Sequence, residues 1–252
     1  MSDYILQVDR LCKSFGAVQA CKDLSFKVER GHIHALIGPN GAGKTTIINQ
    51  LSGELKQDSG KILFNAADIS RWKAPRRAAA GMGRSFQITA IFEKMTVGEN
   101  MALAIIAGHG HNYRFWRNAM HTPVVKAKMT EALERVDLSE KTDHLAAHLS
   151  HGEKRQLEVG MALAGEPELL MLDEPMAGQG AGGTVELLKL ISGLKAKTTI
   201  LLVEHDMDVV FVLADRVSVV VYGTCIATGT VEQIRANEAV QKAYLGEDYA
   251  QR

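Results

Sequence analysis

Gly38-Pro-Asn-Gly-Ala-Gly-Lys44-Thr45 spells G-x-x-x-x-G-K-[ST], and few architectures can accommodate that spacing. Residues 32–37 before it are mostly apolar and read as a short buried strand. Residues 46–51 after it read as a helix, with Gly53 in the C-cap position. Strand, glycine loop and helix in succession set a concave row of backbone N–H groups that can surround a polyphosphate. Glycines at 38, 41 and 43 keep Cβ atoms out of that approach, and the helix adds its positive dipole end. The stretch therefore predicts a nucleotide-phosphate loop made of Gly38, Pro39, Asn40, Gly41, Ala42, Gly43, Lys44, Thr45 and Thr46. In it Lys44 reaches the β- and γ-phosphates, and the Thr45 hydroxyl binds Mg²⁺.

Composition narrows the partners. The 252 residues carry 29 basic and 29 acidic side chains, so overall charge gives no case for nucleic acid or an anionic membrane surface. Three cysteines (Cys12, Cys21, Cys225) without metal spacing read as reduced thiols. The first ten residues are polar and charged, with no apolar stretch of signal-peptide length. Residues 101–107 and 217–222, the longest apolar runs, are too short to cross a bilayer. Any role at a membrane is expected to act through other subunits.

Along the chain, residues 1–31 alternate as strands do, and residues 60–64 add another, which predicts a β-rich layer around the phosphate loop. His32 and His34 alternate on the entering strand and read as ordinary strand histidines. From residue 88 the texture turns helical. Thr96 with Glu99 has capping-box spacing, Thr122 caps a helix with Pro123 in its first turn, and Ser150 with Glu153 makes another capping box. Residues 88–164 are thus expected to be a helical insertion, with 1–87 and 165–252 forming the core of one domain. The segment 109–117 interleaves aromatics with arginines and reads as a partly exposed loop or amphipathic stretch. After residue 165, strand and helix patterns alternate, predicting a parallel sheet covered on both faces. Thr230 with Gln233 opens a small helix near the end, and residues 237–245 read as another.

A second constellation follows in Leu169-Leu-Met-Leu-Asp173-Glu174-Pro175, two carboxylates at the C-terminal end of a buried strand. In a parallel sheet that edge is where ligands bind. Asp173 is expected to hold Mg²⁺ through water, and Glu174 to polarise a water for in-line attack on the γ-phosphate.

Leu149-Ser150-His151-Gly152-Glu153 before the carboxylate pair, His205 after the next apolar strand and Gln87 at the start of the helical insertion complete an order. Over essentially the whole chain it resembles the nucleotide-binding subunits of ATP-binding cassette (ABC) transporters. The resemblance implies a P-loop NTPase core of RecA-like α/β class, with an N-terminal antiparallel β layer and an inserted α-helical subdomain. It also implies ATP and Mg²⁺ as cofactors and a second cassette subunit, identical or not. Membrane permease subunits and, through them, a solute-binding protein are the further partners it implies, at the cytoplasmic face of the membrane. Phe15 then matches the aromatic that stacks on adenine. Gln87 matches the residue that senses Mg²⁺ and faces the permease. Ser150 and Gly152 resemble the signature residues that cap the γ-phosphate bound to the second subunit, and His205 the switch histidine that orients Glu174.

Two departures stand out. The usual signature is Leu-Ser-Gly-Gly-Gln, whereas His151 and Glu153 occur here, a variant similar to the ATP-binding subunits for branched-chain amino acids. The segment after Glu174 usually carries an aspartate that bridges the two subunits. Here Met176-Ala-Gly-Gln179-Gly180 has no such carboxylate. Residues 84–92, 95–100 and 240–247 point to the same subfamily, and the Arg/aromatic segment near 113 to the longer of its two cassettes. Import of branched-chain or other small amino acids or amides is the expected function; a cassette of an exporter, or a soluble non-transport ATPase, is the alternative.

Overall fold

The computed structural model describes residues 3–85, 91–108, 122–178, 181–195 and 197–242. Its centre is β3 (Ile33–Ile37), every residue of which is buried. Parallel neighbours flank it on both sides, β8 (Thr199–Val203) pairing Ala35 with Leu202 and β9 (Arg216–Val221) pairing Ala35 with Val217. Beyond β8 lie β7 (Leu169–Asp173) and β6 (Met82–Arg84), also parallel, and β10 (Thr224–Gly229) closes the far edge antiparallel to β9. The order is β10-β9-β3-β8-β7-β6, the parallel α/β core expected from the alternation.

Alternate residues of these strands feed different cores, as the period of two requires. Leu169, Met171, Leu201 and Val203 pack with Ile47, Ile48 and Leu51 of α1 (Lys44–Ser52). The same core takes in a second, antiparallel sheet of order β2-β1-β4-β5. Its strands are β1 (Tyr4–Phe15), β2 (Val18–Glu29), β4 (Ser59–Phe64) and β5 (Ala67–Asp68), the predicted β layer. Leu170, Leu172, Ile200 and Leu202 point the other way, onto α6 (Ala181–Leu194) and α7 (Met207–Leu213). Both faces of the parallel sheet are covered.

The helical stretch has a core of its own. Met101 and Ile105 of α3 (Val97–Gly108), Leu133 of α4 (Pro123–Arg135) and Leu157 of α5 (His151–Leu163) share one buried cluster with Ile91, Val136 and Leu138. The expected caps form. Thr96 and Glu99 exchange bonds, Thr122 Oγ1 accepts from Val125 N–H, and the Ser150–Glu153 box closes in both directions. Thr230 and Gln233 do the same ahead of α8 (Val231–Arg235), and Asn237 caps α9 (Glu238–Val240).

Two elements absent from the sequence reading are short and held by distant partners. One is α2 (Ala74–Ala79), whose buried Arg77 donates to the carbonyls of Gln50 (2.8 Å) and Leu51 (2.7 Å). It thereby satisfies orphan carbonyls at the end of α1, where Gly53 turns left-handed. The other is β6, paired with β7; β5 and β10, also absent from that reading, close local hairpins on β4 and β9.

Buried His34 places Nε2 2.8 Å from Ser218 Oγ on β9. Burial, with Arg216 and His32 nearby, pushes its pKa down to about 3, so the folded chain keeps it neutral. The unfolded chain binds that proton below about pH 6.5, so stability from this group is complete above that pH and falls as the pH drops toward 3. Between pH 7.5 and 5.5, His34→Leu should lose about 1 kcal/mol less stability than the parent, measured by urea unfolding.

The phosphate loop and its carboxylate wall

The loop geometry follows from its glycines. Gly38 leaves β3 so close to β9 that a Cβ would lie 2.1 Å from the Val220 carbonyl oxygen. Gly43 takes φ +100° as N-cap of α1, where a Cβ would lie 2.3 Å from Ala20 O. Gly41 also has positive φ, but open space beside it. Pro39 O accepts from Ala42 N–H at 3.1 Å, closing the turn. Asn40, Gly41 and Thr45 are exposed at its rim, with Thr46 half-buried behind.

Lys44 fills the cradle, only 7% exposed, with Nζ donating to Gly38 O (2.7 Å) and Pro39 O (3.2 Å). Burial lowers its pKa, opposed by the charges of Glu174, Asp173 and Glu204. Those carboxylates arrive from β8, beside β3, and from β7 beyond it, strands that end at the same edge.

Asp173 ends β7 fully buried. Its Oδ2 accepts from Arg84 Nη2 at 3.3 Å, whereas buried Oδ1 has no hydrogen-bond partner among the described residues. Burial raises its pKa and the Arg84 guanidinium works against that rise, Glu174 reinforcing it. Arg84 also donates from Nη1 to Asn49 Oδ1 (2.8 Å), Ser52 Oγ (3.2 Å) and Glu54 Oε2 (2.8 Å), binding α1 to the end of β7. Glu174 follows with φ +46°, an uncommon conformation for a non-glycine residue, held by its N–H to Val203 O at 2.9 Å. That turn swings its half-buried carboxylate to 3.6 Å from His205 Nδ1. Glu204 beside His205 is fully buried.

The chemistry of these groups fits a magnesium nucleotide. An anion finds backbone N–H groups and an ammonium. A hard cation finds hydroxyl and carboxylate oxygens, among them the unsatisfied Oδ1 of Asp173.

The chain thus brings Lys44, Asp173, Glu174 and His205 to one sheet edge. Ser150 and Gly152 stand elsewhere, at the exposed N-terminus of α5, and among the described residues no hydrogen bond or ion pair joins them to the loop. Phe15 ends β1 half-exposed, with Lys13 Nζ 5.5 Å from its ring centroid. Gln87, the segment 109–117, Gln179, Gly180 and the end of the chain past residue 242 lie outside the described residues. Arg84 and Glu204 were not singled out from sequence; the only available hint was a charged residue within an otherwise apolar strand pattern.

A strand-loop-helix phosphate cradle at the edge of a parallel sheet, backed by a strand-end carboxylate pair, defines a P-loop NTPase. The comparisons agree and go further. The family model for the ABC transporter matches residues 21–177, and that for the branched-chain amino acid ATP-binding cassette transporter matches residues 224–250. The high-affinity branched-chain amino acid transport ATP-binding protein LivG of Escherichia coli is 39% identical, the alignment covering 98% of this chain and all of that one. BraF of Pseudomonas aeruginosa, which carries the same description, is 38% identical over the same shares. The lipopolysaccharide export system ATP-binding protein LptB of Haemophilus influenzae is 34% identical over 97% of this chain and 98% of its own. An ATP-binding cassette of an ABC transporter solved in its ADP conformation superposes with a TM-score of 0.85 at 30% identity, covering 98% of this chain and 100% of that one. The chain belongs to the ATP-binding cassette transporter family, and it is an ATPase subunit of that family.

Arg84→Met should cost about 3 kcal/mol in urea unfolding, because it strands a buried carboxylate. Adding Asp173→Asn should recover part of that loss; a single variant as stable as the parent would refute the cross-link.

Proposed function

We propose that this subunit powers the import of branched-chain or other small amino acids or amides, working from the cytoplasmic face of a membrane through partner permeases fed by a solute-binding protein. The observation that carries the catalytic part is Glu174, turned by its positive φ to within 3.6 Å of His205 Nδ1 and beside Lys44. The solute class is supported by the relatives' descriptions and by the match of residues 224–250, a segment outside the general cassette match.

In this reading residues 38–46 wrap the phosphates, and Lys44 leaves the Gly38 and Pro39 carbonyls for the β- and γ-phosphate oxygens. Thr45 and Asp173 hold Mg²⁺, with Gln87 near it; the ion, when bound, neutralises phosphate charge. Glu174 accepts the proton of the attacking water, His205 keeps that carboxylate in place and contacts the γ-phosphate, and Phe15 stacks on adenine. Ser150 and Gly152 cap the γ-phosphate on a second cassette, so two chains close head to tail around two nucleotides. A signature segment exposed at the start of α5, with no hydrogen bond or ion pair to its own chain's loop among the described residues, supports that arrangement.

Residues 1–87 and 165–252 would act as the nucleotide-binding core and 88–164 as a helical subdomain, a division supported by the separate core of α3, α4 and α5. Between core and subdomain lies a cavity of about 510 Å³ lined by Ala78, Met82, Ala104, Ala107, Met161 and Pro167 among others. Its apolar lining suits a helical segment of a permease. No helix among the described residues is long and apolar enough to cross a membrane.

Glu174→Gln should still bind ATP and lower turnover at least ~100-fold in the assembled transporter. Undiminished turnover would remove Glu174 from the chemistry. Lys44→Ala should weaken ATP binding by about tenfold or more in calorimetry, the loss of charge-assisted hydrogen bonds. Leucine uptake by proteoliposomes carrying the complete transporter tests the solute class, and energised export in its place would favour the other reading.

A further inference from the structure

Glu204 has no part in the scheme above, yet it is fully buried where β8 ends. A carboxylate in that position costs more than an apolar side chain would unless its oxygens are used. Both are used. Oε1 accepts from Met176 N–H at 3.0 Å and Oε2 from His205 N–H at 3.2 Å, with His205 Nδ1 3.9 Å from the same oxygen. The two N–H groups belong to the segments leaving two adjacent strands, β7 and β8, which pair Asp173 with Val203. One side chain therefore bridges the turn after Glu174 to the turn carrying His205.

The bridged segment continues to Gly178, at φ +74°. A Cβ there would stand 3.2 Å from His151 Nε2, so the imidazole rests against the glycine. His151 is the first residue of α5, directly after the Ser150 cap. A run of contacts thus leads from His205 through Glu204, Met176 and Gly178 to His151. Both sequence departures noted above, in the signature and in the segment after Glu174, fall along it.

We propose that Glu204 is a positioning residue. Its carboxylate holds His205 and the turn after Glu174 as one unit, which bears through Gly178 on His151 and sets the signature segment together with the chain's own hydrolysis site. The link rests on the roles proposed above for Glu174, His205 and Ser150, and it works through them, not by contact with nucleotide. A carboxylate offers two acceptors, whereas glutamine offers one acceptor and turns an NH₂ against the other N–H.

Glu204→Gln keeps the side-chain shape and breaks one half of the bridge. In the assembled transporter it should lower kcat at least ~10-fold while ATP affinity of the full chain stays within about twofold. Unchanged kcat in the folded variant overturns the proposal. So does a parallel loss of kcat, ATP affinity and thermal midpoint, the pattern of a merely structural group. A second arm stands even where Glu204→Gln does not fold. Gly178→Ala should lower kcat about fivefold or more, and adding His151→Gly should restore at least about half of it. The backbone strain of alanine at positive φ is common to both variants, so rescue isolates the contact with the ring. Absence of rescue overturns the link to the signature. Glu174→Gln in the same assay separates the readings. Parental turnover there brings down the site itself, whereas its loss beside parental turnover in Glu204→Gln brings down the link alone.

Discussion

A buried ammonium has to be neutralised, and much of the molecule is arranged around that requirement. Lys44 sits inside its own loop, and the nearby negative charge comes from Asp173, Glu174 and Glu204 on neighbouring strands. Only a parallel sheet with β3, β8 and β7 side by side delivers those groups from residues well over a hundred positions later in the chain. Their C-terminal ends share one edge, so the turn after each strand opens onto the same space. Lys44 and Arg84 already face Asp173, Glu174 and Glu204 before any nucleotide arrives. In the proposed function an incoming phosphate would compete with two backbone carbonyls for the ammonium, and a cation would complete the carboxylate side.

Cross-links keep that edge rigid. Arg84 ties α1 to Asp173, Arg77 closes the far end of α1, and Glu204 joins the β7 and β8 exits. Each is buried and each bonds groups distant in sequence. Such placements are costly to leave half-satisfied, which fixes one arrangement of the edge. Catalytic geometry on loops gains precision from supports of this kind.

What could be read from the sequence was local. The phosphate loop, the strand that ends at Asp173, and the caps at Thr96, Thr122, Ser150 and Thr230 each declare themselves within about ten residues, because a loop or cap is closed by its near neighbours. Arg84 pairs with a residue 89 positions away and Glu204 with one 28 positions away; neither partner is implied by spacing. β6 is three residues long and exists because β7 offers an edge, and β10 because β9 does. Phe15 shows the reverse case: only the resemblance gives it a role, and the single chain places it half-exposed at a strand end, a position packing alone does not demand. The arrangement of Glu174 was half legible. Its place beside Asp173 came from the motif, but the positive φ that turns it toward His205 comes from the bond to Val203 on the next strand.

The replacement of the usual signature glutamine by Glu153 is at first sight wrong for a helix start proposed to meet a phosphate, since it adds a negative charge to the anion end. The structure resolves that objection. Glu153 folds back onto Ser150 N–H at 2.8 Å and is paired with Lys141, so its charge is taken up on the side facing its own subdomain. Ser150 Oγ accepts from Glu153 N–H at 3.3 Å, which leaves the hydroxyl proton as a donor. A hydroxyl held as acceptor from behind and free to donate forward, on a helix end whose dipole is positive, suits a γ-phosphate. The same capping box that stabilises α5 therefore fixes the orientation of its hydroxyl, and Lys141, outside the signature altogether, is what makes the acidic variant compatible with the proposed role.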